Sequence, residues 1–581
     1  MTLAAHSGWK DPGPRPHRRG LSLPSGYGLP ALVAACALLF GALPMLRLAG
    51  AAFAPGGEFA PEAALAEIGS RAAVNATLHS LETAFLSAIG ALLIGGTAAI
   101  LLVVTDVRGK RPIAFALVFS MMIAPQVAAL AFLSLLAPHS PILALFGLSP
   151  APGTPNPLLG RGGIALVMAL HHAPLVAITL WTGLRSVPHS LVEAAELEGA
   201  GPTAIISRIL LPVLRPQIAA AALLAFVAGI GNFGIPALLG LPVNYLTLPT
   251  LIYRRLSSFG PAGLPDAAAL SVLVALVAGL GIAAGMLATR RTGGKVEIER
   301  PLQPFWRLGR ARPFVAGGLC LLLAVKLGLP FLALLGEALT PALGIALSWQ
   351  NLTYDKFAEV LLRQDVTVRA FRNSLLFAGS AAMILALLSI GFAYALERRM
   401  GRLRRAVEVV IELPYALPGV VLAIACILMF LKPLPVLGIS IYATPFIILF
   451  AYLARFMPLA LKAPLAAMAQ IEAHHEEAAR LDGAGLWQML RFIVAPILAP
   501  AATVSALMVF LVAFNELTVS ALLWTSGTET LGVVLFSLKE AGLAGEAAAV
   551  AISASAVILL AMLALDLLSR RLPQDVLPWR I

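Results

Sequence analysis

Residues 191–212 read LVEAAELEGAGPTAIISRILLP, and residues 475–496 read HEEAARLDGAGLWQMLRFIVAP. Glu193-Ala194-Ala195, Gly199, Ile209 and Pro212 of the first stretch recur as Glu477-Ala478-Ala479, Gly483, Ile493 and Pro496 of the second, each displaced by 284. Self-similarity at a fixed displacement marks an internal repeat. It extends upstream, where Pro174-Leu175 matches Pro458-Leu459, and downstream, where Ala237-Leu238-Leu239 matches Ala521-Leu522-Leu523. Farther upstream the displacement becomes 294, with His79-Ser80-Leu81 facing Asn373-Ser374-Leu375. The first half therefore carries about ten extra residues, which we assign to the Pro- and Gly-rich loop 137–163, since loops absorb insertions. The expected organisation is one half over 1–291, a linker over 292–312 and a second half over 313–581.

The surroundings of both halves are lipid. Of the 581 residues, 59% are hydrophobic and 12% charged, and the mean hydropathy is +0.90. These values exclude an ordinary soluble enzyme and a disordered chain. About 20 apolar residues cross a bilayer. At that length the sequence predicts an all-α, polytopic membrane protein with twelve spans, six per half. Those of the first half cover 29–48, 84–104, 113–136, 164–184, 218–239 and 267–287, and those of the second 314–335, 375–395, 407–430, 441–461, 501–523 and 547–568.

The 41 Lys+Arg against 29 Asp+Glu give a net charge of +12, which in a soluble protein would suggest nucleic acid. Threading the chain through its spans puts 28 basic residues on the side of the N-terminus and 10 on the other, with Arg47, Lys326 and Arg455 inside spans. The positive-inside rule then sets both termini in the cytoplasm and explains the charge without nucleic acid. Arg18-Arg19 and the small residues 49–52 flank the first span as they would a signal peptide. Its length exceeds a signal core, and we read it as a retained helix. Cys36, Cys320 and Cys426 fall in apolar runs without disulfide or zinc spacing.

Each repeated loop lies on the cytoplasmic side, between the fourth and fifth spans of its half. In the first, Ser190 and Glu193 have the spacing of a capping box, a helix is expected to run to Glu198, Gly199 stops it, and Pro202 opens a second helix. The predicted shape over 190–212, and again over 474–496, is helix, glycine corner, helix. Small Ala194 and Ala195 admit another surface closely, and Glu193, Glu196 and Glu198 can pair with its basic groups. Such a knob docks and does not catalyse.

The doubled motif resembles the cytoplasmic EAA loop in the membrane subunits of binding-protein-dependent ABC importers, with Gly six residues after the Glu and Ile-x-Leu-Pro at its close. Glu193, Ala194, Ala195, Gly199, Ile209, Leu211 and Pro212 all fit, and in the second copy only Ala495 departs, replacing the Leu. The resemblance implies a type I ABC importer permease, a multi-pass protein of the bacterial inner membrane without a cofactor of its own. It also implies two copies of an ATPase subunit, which use ATP and Mg. One would receive Glu193, Ala194, Ala195 and Gly199, the other Glu477, Ala478, Ala479 and Gly483, while a substrate-binding protein delivers the solute. The chain itself has no Gly-x-x-x-x-Gly-Lys-Ser/Thr phosphate loop.

Ionisable groups within spans face a cavity or a partner. We expect Arg455 and Glu412 to form a structural ion pair or to meet substrate, while Arg47 snorkels from its span end. Asn232 and Glu516, 284 apart, are the expected pathway lining. His171 and His172 match Arg455 and Phe456 and are expected to bond neighbouring helices rather than metal. Pro125, Pro414, Pro418 and Gly419 interrupt apolar helices, as at transporter cavities or packing kinks. Asp106 to Arg111 also resembles a loop of major facilitator transporters, the alternative class, but its Arg is displaced by one and a facilitator has no use for paired EAA loops. Residues 229–236 and 514–524, with the fused length, most resemble ferric-iron permeases, and similar fused permeases serve thiamine and 2-aminoethylphosphonate. Iron prefers several convergent oxygen ligands. The spans offer only scattered Glu412, Tyr415, Glu516 and Asp566, so no tight iron site is expected in the chain.

Overall fold

A computed structural model describes residues 28–290 and 301–568, apart from positions 55–56, 139, 152, 258–262, 343–344, 346, 434–437, 439 and 473. Among the described residues there is no β-strand, only two isolated bridges. Helices satisfy their own backbone groups, which lipid cannot do. Among the described residues nine helices are long and apolar enough to cross a bilayer, and three bent pairs, each taken as one span, raise the number to twelve. In the first half these are Gly28–Phe53, Arg71–Val104, the pair Lys110–Met122 and Pro125–Leu135, Arg161–Arg185, the pair Pro202–Val213 and Arg215–Ile230, and Gly263–Arg290. The second half has Gly309–Leu339, Asp365–Arg398, the pair Gly401–Ala416 and Gly419–Phe430, Pro445–Gln470, Leu486–Phe514 and Ala544–Leu568.

The third span of each half is two half-helices, bent by 102° in the first and 106° in the second. Ala124 and Leu417 are extended, with ψ of 143° and 151°, because a residue before proline is pushed out of the α region. The fifth spans stop sooner than expected. They end at Ile230 and Phe514 rather than Leu239 and Leu523, and the chain turns before resuming as short helices, Gly234–Leu239 and Ser520–Leu523.

The halves interlock through their first helices. Leu43–Phe53 packs on the half-helix Gly419–Phe430 of the second half, and Leu329–Leu339 packs on Pro125–Leu135 of the first. Phe40 seals one of these contacts, its ring 4.9 Å from that of Phe450, which in turn lies 4.9 Å from Phe430.

The matching triplets upstream of the loops have a structural cause. Ser80 Oγ accepts from the Leu248 N–H at 2.8 Å, and Ser374 Oγ accepts from that of Leu531 at 2.9 Å. Each hydroxyl satisfies an orphan donor at the start of a later helix, Leu248–Ser257 or Leu531–Glu540. Nearby, Asn373 Nδ2 donates to the carbonyls of Gly527 and Glu529, and Arg369 holds the Glu529 carboxylate at 3.0 Å. Burial pushes that carboxyl up, but Arg369 and the Gly527 N–H outweigh it, leaving its pKa below the ordinary value.

The expected insertion loop holds the short helix Pro141–Leu145, set against Leu329–Leu339. The described end of the linker is clasped to the first half. The N–H groups of Phe305 and Trp306 both donate to Val104 O, Asp106 Oδ1 accepts from the Leu308 N–H at 2.9 Å, and the other carboxylate oxygen pairs with Arg312. Asp106, the residue that suggested a facilitator loop, anchors the linker.

Candidate functional site: two repeated knobs and a central break

The first knob is the helix Ser190–Leu197 and the second His474–Leu481. Ser190 is the first helical residue and caps nothing, so the expected capping box is not formed. Glu193 lies instead 3.8 Å from His189. Both helices stop in the same way. Gly199 and Gly483 have φ of 78° and 79°, where glycine alone is unstrained. The Ala200 N–H donates to Ala195 O and the Gly199 N–H to Glu196 O, and Ala484 to Ala479 with Gly483 to Arg480 repeat this at 2.9 and 3.0 Å. These are Schellman caps, built twice at positions 284 apart.

Glu193, Ala194 and Gly199 are exposed, as are Glu477, Ala478 and Gly483, whereas Ala195 is half-buried and Ala479 buried. The second alanine of each motif therefore packs inward, and only the first is open at the surface. Leu197 and Leu481, also 284 apart, are 89% and 88% exposed at the knob tips. We did not single them out from the sequence, because a leucine on a short amphipathic helix reads as core. Their recurrence at the repeat displacement was the available signal.

The two knobs are braced differently. Val192, fully buried, supports the first. Its counterpart Glu476 is 4% exposed and accepts from Arg398 Nε at 2.9 Å, tying the second knob to the C-terminal end of Asp365–Arg398.

At the centre, Arg455 Nε lies 3.8 Å from Glu516 Oε1. The expected Arg455–Glu412 pair is not formed. Glu412 is exposed, lining a cavity of about 250 Å³ with Glu408 and Lys462. Asn232 and Glu516, placed in the fifth spans from sequence, sit in the turns after them, each 7% exposed. Asn232 Oδ1 accepts from the Ile235 N–H at 3.1 Å. Glu516 Oε2 accepts from the N–H groups of Val519 at 2.9 Å and Ser520 at 3.3 Å, and Thr518 donates to its other oxygen. Both residues thus cap the helix that resumes beyond the break, through Asn232 Oδ1 and Glu516 Oε2.

The breaks of opposite halves touch. Gln126 Nε2, one residue beyond Pro125, donates to Asn515 O at 3.0 Å. At the pseudo-equivalent place a Cβ added to Gly231 would lie 3.6 Å from Pro418 Cα. His171 and His172 stack edge to face with centroids 5.5 Å apart, and His172 Nδ1 has no hydrogen-bond partner among the described residues. The expected bond from this histidine nitrogen to a neighbouring helix is not formed.

Residues 91–293 and 387–577 match the family described as binding-protein-dependent transport system inner membrane component. The chain belongs to this family. The two matched segments fall one in each half, so it is the fused, two-half form, and a facilitator is excluded. A probable ABC transporter permease protein, y4fN of Sinorhizobium fredii, is 27% identical over 378 residues, 61% of this chain and 63% of that protein. The ferric transport system permease protein FbpB of Actinobacillus pleuropneumoniae is 25% identical over 435 residues, 71% of this chain and 58% of that one. A putative 2-aminoethylphosphonate transport system permease protein, PhnU of Salmonella typhi, is 27% identical over 235 residues, 38% of this chain and 80% of its own. The chain thus spans about three-fifths of the length of the first two relatives.

Proposed function

We propose that this permease is the complete membrane pathway of an ATP-driven importer, with each knob seated in one of two ATPase subunits and solute passing between the halves. The observation that carries the reading is the pair of knobs, built on the same Schellman corner 284 residues apart and each ending in an exposed leucine. An apolar tip rimmed by Glu193 or Glu477 has the character of an interface anchor with a polar rim. ATP and Mg belong to the partner. Solute reaches the permease from a binding protein on the far side of the membrane.

Both termini and both knobs lie in the cytoplasm in this reading. Single cysteines at Ser190 and His474 should resist a membrane-impermeant thiol reagent in intact cells and react after permeabilisation. Labelling in intact cells would reverse the topology.

Ferric iron is the substrate we favour, supported by the ferric permease relative and by the likeness of residues 514–524 to ferric permeases. Aminoethylphosphonate is the second reading, supported by the relative named for it. Iron is held tightly by the binding protein and only weakly by the permease. Proteoliposomes carrying the permease and its ATPase should take up iron with ATP and an iron-loaded binding protein, while calorimetry on the permease alone detects no micromolar iron binding. Uptake driven by an aminoethylphosphonate- or thiamine-loaded protein, and not by the iron-loaded one, would replace the substrate and leave the importer intact.

A further inference from the structure

Three aromatic rings meet beside the central break. Phe233 follows the Asn232 turn. Its ring lies 5.3 Å from that of Tyr253 and 6.1 Å from that of Phe536, and Tyr253 meets Phe536 at 6.0 Å and 90°. Tyr253 and Phe536 are counterparts, each five residues into the helix that Ser80 or Ser374 caps. The equivalent residues of the two halves therefore meet edge to face across the pseudo-twofold axis, in the geometry aromatic quadrupoles favour.

Phe233 is fully buried and Phe536 is 4% exposed. Their depth follows from the helix that leads to them. Arg215–Ile230 has 16 residues, about 24 Å of rise from a bend on the cytoplasmic side, in a hydrocarbon core of about 30 Å. The rings thus lie in the half of the membrane away from the knobs. Two residues before Phe233, Gly231 lies against Pro418, and the Gln126–Asn515 bond joins the same two halves.

We propose that Phe233, Tyr253 and Phe536 form the outer seal of the pathway. The assignment rests on the pathway reading above and adds the residues that hold it shut. Because the rings come from both halves, the seal opens only when the halves part along this seam, which also breaks the Gln126–Asn515 bond. The seal is not symmetric. The counterpart of Phe233 is Leu517, so two of the three rings belong to the first half.

The test uses the full chain in proteoliposomes loaded with sucrose and potassium. Wild-type vesicles should retain both. Phe233→Ala combined with Phe536→Ala should release them at least tenfold faster, and Phe233→Leu with Phe536→Leu should release them at an intermediate rate. In a chain with Cys36, Cys320 and Cys426 replaced by alanine, Tyr253→Cys and Phe536→Cys joined by a short bifunctional thiol reagent should stop ATP-driven uptake, and a reductant should restore it. Alanine variants as tight as wild type, or a joined pair that still transports, would overturn the seal. Absence of ATP-driven uptake in the wild type itself would instead overturn the pathway reading.

Discussion

Gly199→Val and Gly483→Val should each leave a folded, membrane-inserted permease that binds its ATPase at least about tenfold more weakly. No atom outside the local chain lies within 4 Å of a Cβ built at either glycine, so crowding by neighbours is not the cause. The cause is φ near +78°, where a β-branched residue costs roughly 1–2 kcal/mol, and about 1.4 kcal/mol corresponds to a factor of ten. Relief of that strain requires opening the Schellman bonds from Ala200 to Ala195 or Ala484 to Ala479 and swinging the tip leucine away. Asparagine visits the left-handed region more readily. Gly199→Asn and Gly483→Asn should therefore retain most binding. Titration of the purified ATPase onto each variant measures the effect, and full transport by the double valine variant would remove the docking assignment.

The second large effect is expected at the central break, and it should differ between the halves. Glu516→Ala strips two capped N–H groups and takes the carboxylate away from half-buried Arg455, which keeps the Leu417 carbonyl 3.4 Å away. Removing one member of a fully buried pair destabilises by roughly 3–5 kcal/mol, and the partial exposure of Arg455 brings the expected loss down to about 2–3 kcal/mol. Asn232→Ala, at the equivalent place, removes one neutral capping bond, worth about 1 kcal/mol. Glu516→Gln keeps acceptors for the backbone and should fall between them. Equilibrium unfolding of the detergent-solubilised variants orders the three, and equal losses at Glu516 and Asn232 would contradict the capping account.

The number of spans and their grouping into sixes could be read from the sequence, because burial in lipid imposes a length on apolar runs and the repeat fixes which runs correspond. Pro125 and Pro418 also announced the bend of the third spans. The ends of the fifth spans were hidden. Gly231, Phe233 and Leu517 are as apolar as the helix before them, and hydropathy does not register a turn. Arg455 was assigned the wrong carboxylate because Glu412 and Glu516 both fall in apolar runs, and linear order carries no distance between helices. The alanine pairs looked equally available for docking. Only the capped geometry shows that Ala195 and Ala479 turn inward while Leu197 and Leu481 point out. The exchange of first helices between halves has no local signal at all, since it is set by packing between segments far apart in the chain.

The central claim is that one chain does the work of two permease subunits. Its most direct test is the mass of the intact complex, purified from membranes in mild detergent and measured by native mass spectrometry. The account predicts a single 60.6 kDa permease chain carrying two ATPase subunits, falling to one when either Gly199→Val or Gly483→Val is introduced. Two permease chains per pair of ATPases, or a wild-type permease with no ATPase attached, would contradict it.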